Sequence, residues 1–273
     1  MQKIDRLGWP GGFAFKSYGV RVGVRVNDPA VLPRFSERMP PGSKPIDSEI
    51  VDQLYSVVIG GPGSSPRIKR YNIAYWGAQR LARSIDLEPV LDAFESNLQI
   101  TVAEWSPLRV FVHAGVVEWK GKAIVIPGLS FSGKTTLVKH LVQAGAKYYS
   151  DEYAVLDGRG WVHPYPRPLG LRSQDSARTE KIHIEDLGGA TGSRALPVNL
   201  IVSTTFKAGA TWRPRRLSAG KGVLELLSHT VSARRRPNLA LTTLPKVAAR
   251  ATILKGVRGE ADRIAEAILE KVS

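Results

Sequence analysis

The 273-residue sequence contains no cysteine. This absence excludes catalysis by a thiolate, zinc sites built on cysteine ligands and a disulfide framework. A chain of this length can bury one substantial core, or a main core with a smaller appended domain, so it needs neither disulfides nor metals to fold. A protein without disulfides is expected in the cytoplasm.

The sequence also lacks long apolar runs. The first residues, MQKIDRLGWPGGF, do not contain the apolar core of a signal peptide. The apolar run from Ala123 to Pro127 is far too short to cross a bilayer. We therefore expect a soluble protein with no membrane partner.

Acidic residues are few relative to basic ones: 24 against 39, which gives a net charge of +15. This balance favours an anionic partner, either a nucleic acid, an acidic peptide or the phosphates of a nucleotide, and charge alone does not choose among them. A solvated, arginine-rich surface explains it equally well. Because no nucleic-acid-binding motif or aromatic-interleaved basic stripe is present, nucleic acid is the least favoured partner.

The N-terminal part of the chain has the pattern of a small α+β module. Residues 13–26 alternate apolar with polar or small side chains and predict a strand. Leu54–Ile59 and Arg67–Tyr75 predict further strands on either side of the turn-forming GGPGSSP. Leu87–Ile100 has apolar residues at helical spacing. We predict a module over residues 1–106.

From Leu108 the pattern changes to that of an α/β domain, predicted over residues 107–273. A strand-like run from Leu108 and the short strand AIVIP precede a glycine-rich run, a helix follows over Lys134–Gly145, and Tyr148–Leu156 predicts another strand. The order strand, loop, helix, strand is the start of an α/β nucleotide-binding core. Later predicted elements are a strand over Leu196–Thr205 and helices over Gly222–Val231 and Glu260–Val272.

The run GLSFSGKT fulfils the pattern G-x-x-x-x-G-K-S/T of a phosphate-binding loop. Gly128 and Gly133 let the backbone curl so that amide groups and the start of the helix face a phosphate. Lys134 adds a positive charge, and the hydroxyl of Thr135 is a ligand for Mg²⁺. The predicted ATP contacts are Gly128, Leu129, Ser130, Phe131, Ser132, Gly133, Lys134, Thr135 and Thr136.

A kinase also needs an acid to hold the metal and a base for the acceptor hydroxyl. Asp151 and Glu152 follow the strand-like KYYS, and we assign Asp151 to Mg²⁺ and Glu152 to the base. His113 lies in an apolar strand, where a histidine is more often a packed residue than a catalyst. For charge on the transferred group we prefer Arg172, which follows a proline-rich segment, over Arg216, Arg234 and Arg235.

The sequence from Val112 to Glu152 resembles the catalytic domain of the HPr kinase/phosphorylase family, with an H-x-G before the loop, the Gly-Lys-Thr end and the paired acids. The resemblance implies a P-loop kinase core of the HPr kinase and phosphoenolpyruvate carboxykinase type. It places His113 on the catalytic histidine, Lys134 on the phosphate lysine, Thr135 on the metal-ligating hydroxyl and Glu152 on the proton acceptor.

Departures from the family narrow this expectation. The family's E-x-R-G-x-G segment and its later arginine-containing loop, which are associated with phosphorylase activity, are missing. The most similar stretches, IEDLGG and LPVN, lack the arginines. The forward, kinase direction is therefore expected. The chain resembles divergent members of the family that phosphorylate a serine of a lasso-peptide precursor. The segments His163–Arg172 and His229–Pro237 also resemble those members, and no role is assigned to them.

The expected partner is a peptide or small protein that carries the acceptor serine, and self-association into a homo-oligomer is left open. A small hydroxylated metabolite is the alternative acceptor. Other classes compatible with the loop are a GTPase with Asp186 in a D-x-x-G element, an ABC-type ATPase with LSAGK from Leu217, and a nucleotide-binding regulator without an acceptor.

Overall fold

The computed structural model describes residues 3–61, 70–129, 132–172 and 179–272. The chain forms two compact units, Met1–Pro107 and Leu108–Ser273. Among the described residues, no helix combines the length and the apolar character needed to span a membrane.

The first unit packs one long helix on a six-stranded sheet. The strands follow the order β3-β1-β2-β4-β5-β6, and β2 and β4 run parallel while the other neighbours are antiparallel. The apolar residues at helical spacing face the sheet as predicted, and the helix extends five residues beyond the predicted end. The elements are β1 (Gly11–Ser17), β2 (Val20–Val26), α1 (Leu32–Ser36), β3 (Lys44–Ile46), β4 (Gln53–Val58), β5 (Asn72–Trp76), β6 (Gln79–Ser84) and α2 (Glu88–Trp105).

The single strand predicted over residues 13–26 is wrong, because this segment is a hairpin of β1 and β2. Tyr18 and Gly19 have φ angles of 47° and 92°, and Ser17 pairs with Val20. Two left-handed residues in a row form the tight turn that matches the twist of the flanking strands. Tyrosine rarely adopts this conformation, so the sequence carries no turn signal here.

The second unit is built on an eight-stranded sheet with the main order β11-β10-β7-β8-β14-β16-β15. Strands β8, β14 and β16 are parallel, and β9 pairs with β7. The elements are β7 (Val110–Trp119), β8 (Lys122–Pro127), α3 (Lys134–Gln143), β9 (Lys147–Ser150), β10 (Tyr153–Leu156), β11 (Trp161–His163), β12 (Leu169–Arg172), β13 (Thr179–Ile182), β14 (Leu196–Phe206), β15 (Arg215–Arg216), α4 (Ala219–Leu227), α5 (Pro237–Arg250), β16 (Thr252–Arg258) and α6 (Ala261–Leu269).

Helices cover both faces of this sheet. In β8, Ile124 and Ile126 pack with α3 and α6, whereas Ala123 and Val125 pack with α5 and the residue Leu226 of α4. Successive side chains of a strand point to opposite faces, so a strand buried on both sides is apolar throughout. This burial explains the continuous apolar run AIVIP.

Two further predictions are corrected by this unit. The strand predicted over Tyr148–Leu156 is interrupted by a bend at Asp151 and Glu152, which divides it into β9 and β10. Both parts run antiparallel to β7. Helix α5 and strand β16 were not predicted. Helix α5 contains Pro245, which is unusual inside a helix. Its buried positions include Ala240, Thr243 and Ala248, so the buried face is only slightly more hydrophobic than the exposed face.

The packing of α3 can be tested at Leu141, whose side chain is fully buried. We expect Leu141→Ala to lower the free energy of unfolding by about 2–5 kcal/mol, because it leaves a cavity beneath the helix. Leu241→Ala is the matched control, since Leu241 is 51% exposed on α5; its expected effect is below about 1 kcal/mol. Guanidinium unfolding followed by circular dichroism measures both, and equal effects would contradict the packing described.

Candidate active site

The glycine loop, residues 128–135, connects β8 to α3. Gly133 has a φ angle of 80° and caps α3, and Leu137 N–H donates to its carbonyl at 3.1 Å. A side chain at Gly128 would meet Ser132 Oγ at 2.6 Å. Gly133 is therefore required by its left-handed conformation, whereas at Gly128 the Ser132 side chain would have to shift to admit a larger residue. Ser130 and Phe131, two of the predicted nucleotide contacts, lie outside the described residues.

Lys134 begins α3 and turns its ammonium group back onto the loop. Its Nζ donates to the carbonyl of Leu129 at 2.8 Å. Burial lowers the pKa of Lys134, and the carboxylates of Glu152 and Asp151 oppose this shift. A carbonyl does not neutralise an ammonium charge, so Lys134 keeps its full capacity to pair with a phosphate.

Thr135 and Asp151 form the second contact of the site. Thr135 Oγ1 donates to Asp151 Oδ2 at 3.2 Å, and the hydroxyl of Tyr148 donates to Oδ1 at 2.8 Å. Burial raises the pKa of Asp151, against the effect of these hydrogen bonds. A hydroxyl and a carboxylate oxygen side by side fit Mg²⁺, which takes one or two protein ligands and completes its shell with water and phosphate oxygens.

Glu152 follows directly in the bend between β9 and β10. Burial raises the pKa of Glu152, Asp151 raises it further, and Arg167 and Lys134 oppose the shift. A glutamate with a raised pKa is a stronger base than an exposed one. The structure therefore brings Lys134, Thr135, Asp151 and Glu152 together.

His113 joins this group through the pairing of β7 with β10. It pairs with Tyr153, and the two rings are 4.8 Å apart. Its carbonyl accepts a hydrogen bond from Gly128 N–H at 3.1 Å, so the histidine backbone holds the start of the glycine loop. Burial lowers the pKa of His113, and Lys134 lowers it further. The imidazole is therefore neutral at pH 7 and can donate or accept a hydrogen bond.

The arginine that contacts the loop is Arg258, which the sequence analysis did not select. Its Nη2 donates to the Gly133 carbonyl at 2.8 Å, its Nη1 donates to Gly259 at 3.0 Å, and the residue is 2% exposed. Burial lowers its pKa. The preferred Arg172 ends β12, and its side chain is outside the described part. The other candidates, Arg216, Arg234 and Arg235, are exposed.

His229 is a second residue whose place the sequence did not reveal. Its carbonyl accepts a hydrogen bond from His113 N–H at 2.8 Å, and its buried Nδ1 has no hydrogen-bond partner within the described residues. Burial lowers its pKa, with Glu225 opposing and Lys134 reinforcing the shift. The histidine thus stands within electrostatic reach of the loop lysine. The resemblance includes the segment that starts at His229 but assigns it no role, and no local pattern marks Arg258.

The role of Arg258 can be tested by its effect on nucleotide affinity. We expect Arg258→Met to raise the Kd for ATP about tenfold, because the left-handed Gly133 loses the hydrogen bond that fixes its carbonyl. Arg258→Lys keeps the charge and should recover part of the affinity. Arg263→Met removes an exposed arginine from α6 and serves as the control. Calorimetric titration measures the affinities, and an unchanged Kd for Arg258→Met would exclude this role.

The comparisons with known proteins leave the chain without a family. No protein-family model matches it, and neither does any curated protein. Among solved structures it is similar to the HPr(Ser) kinase/phosphatase from Coxiella burnetii, with 12% sequence identity and a TM-score of 0.31. The match covers 59% of this chain and 93% of that chain. A similarity this weak decides neither the fold family nor the activity.

Proposed function

We propose that the protein is an ATP-dependent kinase that transfers the γ-phosphoryl group to a hydroxyl, foremost a serine of a protein or precursor peptide. The observation that carries the proposal is the contact of Thr135 Oγ1 with Asp151 Oδ2 at 3.2 Å, at the first turn of α3. It places a hydroxyl and a carboxylate beside Lys134. Phosphoryl transfer needs this combination of a metal site and a positively charged side chain that binds the phosphate.

The glycine loop and α3 supply the electrostatic part of the reaction. The loop amides and the N-terminus of α3 face the β- and γ-phosphates, and Lys134 exchanges the Leu129 carbonyl for phosphate oxygens. Thr135 and Asp151 would hold Mg²⁺, whose positive charge would offset the negative charge of the phosphate groups. Positioning and charge stabilisation supply most of the acceleration in phosphoryl transfer.

Glu152 is the proposed base. Its carboxylate accepts the proton of the acceptor hydroxyl as that oxygen forms a bond to the γ-phosphorus. The bond from the γ-phosphorus to the bridging oxygen breaks, and ADP leaves with its electron pair. His113, held neutral by burial next to Lys134, can hydrogen-bond the transferring group without adding charge.

The position of Asp186 argues against the GTPase alternative. Gly189, the glycine of the D-x-x-G element, packs against Val142 in the last turn of α3. Val142 lies eight residues after Lys134, a distance of about 12 Å along the helix. A switch element must touch the γ-phosphate, whereas this one lies at the opposite end of α3.

The alternatives without phosphorylation of an acceptor explain less of the site. A regulator needs the loop but has no use for a half-buried carboxylate, and the partial burial of Glu152 has a free-energy cost that catalysis would justify. An ATPase and a kinase of small metabolites use the same residues. They differ from the proposed kinase in the acceptor: water or a metabolite in place of a serine hydroxyl.

The proposed transfer predicts different defects at Lys134 and Glu152. Glu152→Gln should lower transfer by about a hundredfold or more and change ATP affinity little, since a base acts only in the chemical step. Lys134→Ala should weaken both binding and transfer. Glu266→Gln and Lys271→Ala, both exposed, are the matched controls.

Incubation with labelled ATP and peptide or protein fractions, followed by mass spectrometry, identifies the acceptor and measures this transfer. A phosphoserine is the expected product. Undiminished transfer in both site variants would exclude the assigned site. Release of phosphate without a phosphorylated product would favour the ATPase.

The pH dependence of kcat/KM should be bell-shaped. Glu152 must be deprotonated, and burial raises its pKa. Activity should therefore rise with pH, and the midpoint of this acidic limb should lie above 4.5, the ordinary pKa of glutamate. Lys134 must be protonated, and burial lowers its pKa. Activity should therefore fall again at high pH, and the midpoint of this basic limb should lie below 10.5, the ordinary pKa of lysine. The acidic limb should persist in the residual activity of His113→Asn. Its loss in that variant would assign the limb to His113 instead.

A further inference from the structure

A run of cations lies on the surface of the second unit, from the end of β14 to the first turn of α4. No Asp or Glu occurs in the sequence between Asp186 and Glu225. Within the described residues, none of these cations has a carboxylate partner. All are exposed. We call them the basic segment: Lys207, Arg213, Arg215, Arg216 and Lys221.

The basic segment begins next to the glycine loop. Lys207 N–H donates to the carbonyl of Arg258 at 2.9 Å, and Arg258 in turn contacts the carbonyl of Gly133. The ring of Phe206 lies 5.3 Å from the Arg258 guanidinium. The first cation therefore stands one residue away from the side chains that touch the loop.

From the loop the segment runs back along β16. Gly256 has Pro214 and Trp212 against it, and β15 pairs antiparallel with β16, with Arg215 opposite Lys255. Lys255 lies three residues before Arg258, which is about 10 Å along a strand. The cations thus form a row that leads away from the phosphate site.

Strand β15 is the last strand in the order of this sheet. Among the described residues no strand pairs with its other edge, where an extended chain can add as a further strand, a common mode of peptide recognition. The neighbouring Lys255 is paired with Glu225 at 2.7 Å, so we leave it out of the basic segment. An extended peptide with carboxylates would satisfy both the edge and the cations.

We propose that the basic segment docks an acidic stretch of the acceptor peptide and thereby brings its serine to the glycine loop. This inference rests on the proposed kinase function and names the chemistry of its acceptor. From the distance along β16, the carboxylates should lie about three to six residues from the serine. A nucleic acid is less favoured, because Trp212 is packed against the core and Phe206 has Arg258 over its ring.

Binding is tested first without nucleotide, so that the result does not depend on catalysis. The probe is a fluorescein-labelled peptide with a central serine and several glutamates about three to six residues from it. A matched peptide has glutamine in place of glutamate, and a single-stranded oligonucleotide carries an equal charge. Fluorescence anisotropy measures the Kd of each with the whole chain.

We expect Arg215→Gln combined with Arg216→Gln to raise the Kd of the acidic peptide about tenfold. The control, Arg263→Gln combined with Lys271→Gln, removes the same charge from exposed positions on or next to α6 and should change it less than about twofold. Equal losses in the two double variants, equal binding of the glutamine peptide, or tighter binding of the oligonucleotide would each overturn the proposal.

Phosphate transfer to the same peptide separates this proposal from the kinase itself. Acidic-peptide binding that depends on Arg215 and Arg216, with no transfer to any acceptor, would contradict the kinase and leave the docking surface standing. Transfer to a serine acceptor with equal KM in both double variants would overturn the docking surface and leave the kinase standing. The expected result is a raised KM and an unchanged kcat in the Arg215 and Arg216 variant only.

Discussion

Parallel pairing of β8, β14 and β16 is the constraint on which the candidate site depends. Val125 pairs with Ile201, and Ile201 pairs with Ile253, so the three strands run in register towards one edge of the sheet. Parallel strands present their carboxyl ends together, and ligands of open α/β sheets bind at that edge. The pairing brings the glycine loop, Phe206 and Arg258 together, although they are far apart in the sequence.

Burial is the largest influence on the pKa of each ionisable residue in the site. It raises the pKa of Asp151 and Glu152 and lowers that of Lys134 and His113. Each shift favours the neutral form of its group. A bound phosphate and a cation would offset part of the cost of burial by pairing with the charged forms. This is the physical reason to regard the cluster as a site of chemistry rather than as packing.

The sequence predicted elements well where hydrophobic periodicity was strong and failed where the backbone turned without a signal. Helix α3 was predicted from Leu137, Val138, Leu141 and Val142, all of which are buried. The hairpin turn at Tyr18 and the bend at Asp151–Glu152 were missed because residues on both sides keep the apolar pattern of a strand. Periodicity reports which residues are buried and says nothing about where a strand reverses or is interrupted.

The sequence by itself determined the glycine loop and its setting. Gly128, Gly133 and Lys134 act through backbone freedom and charge within a few residues of each other, so their pattern is readable without a fold. The tertiary structure decided that His113 lies beside Tyr153 and that Arg258, rather than one of the exposed arginines, contacts Gly133. These contacts come from strand pairing between distant segments, for which no local residue pattern exists.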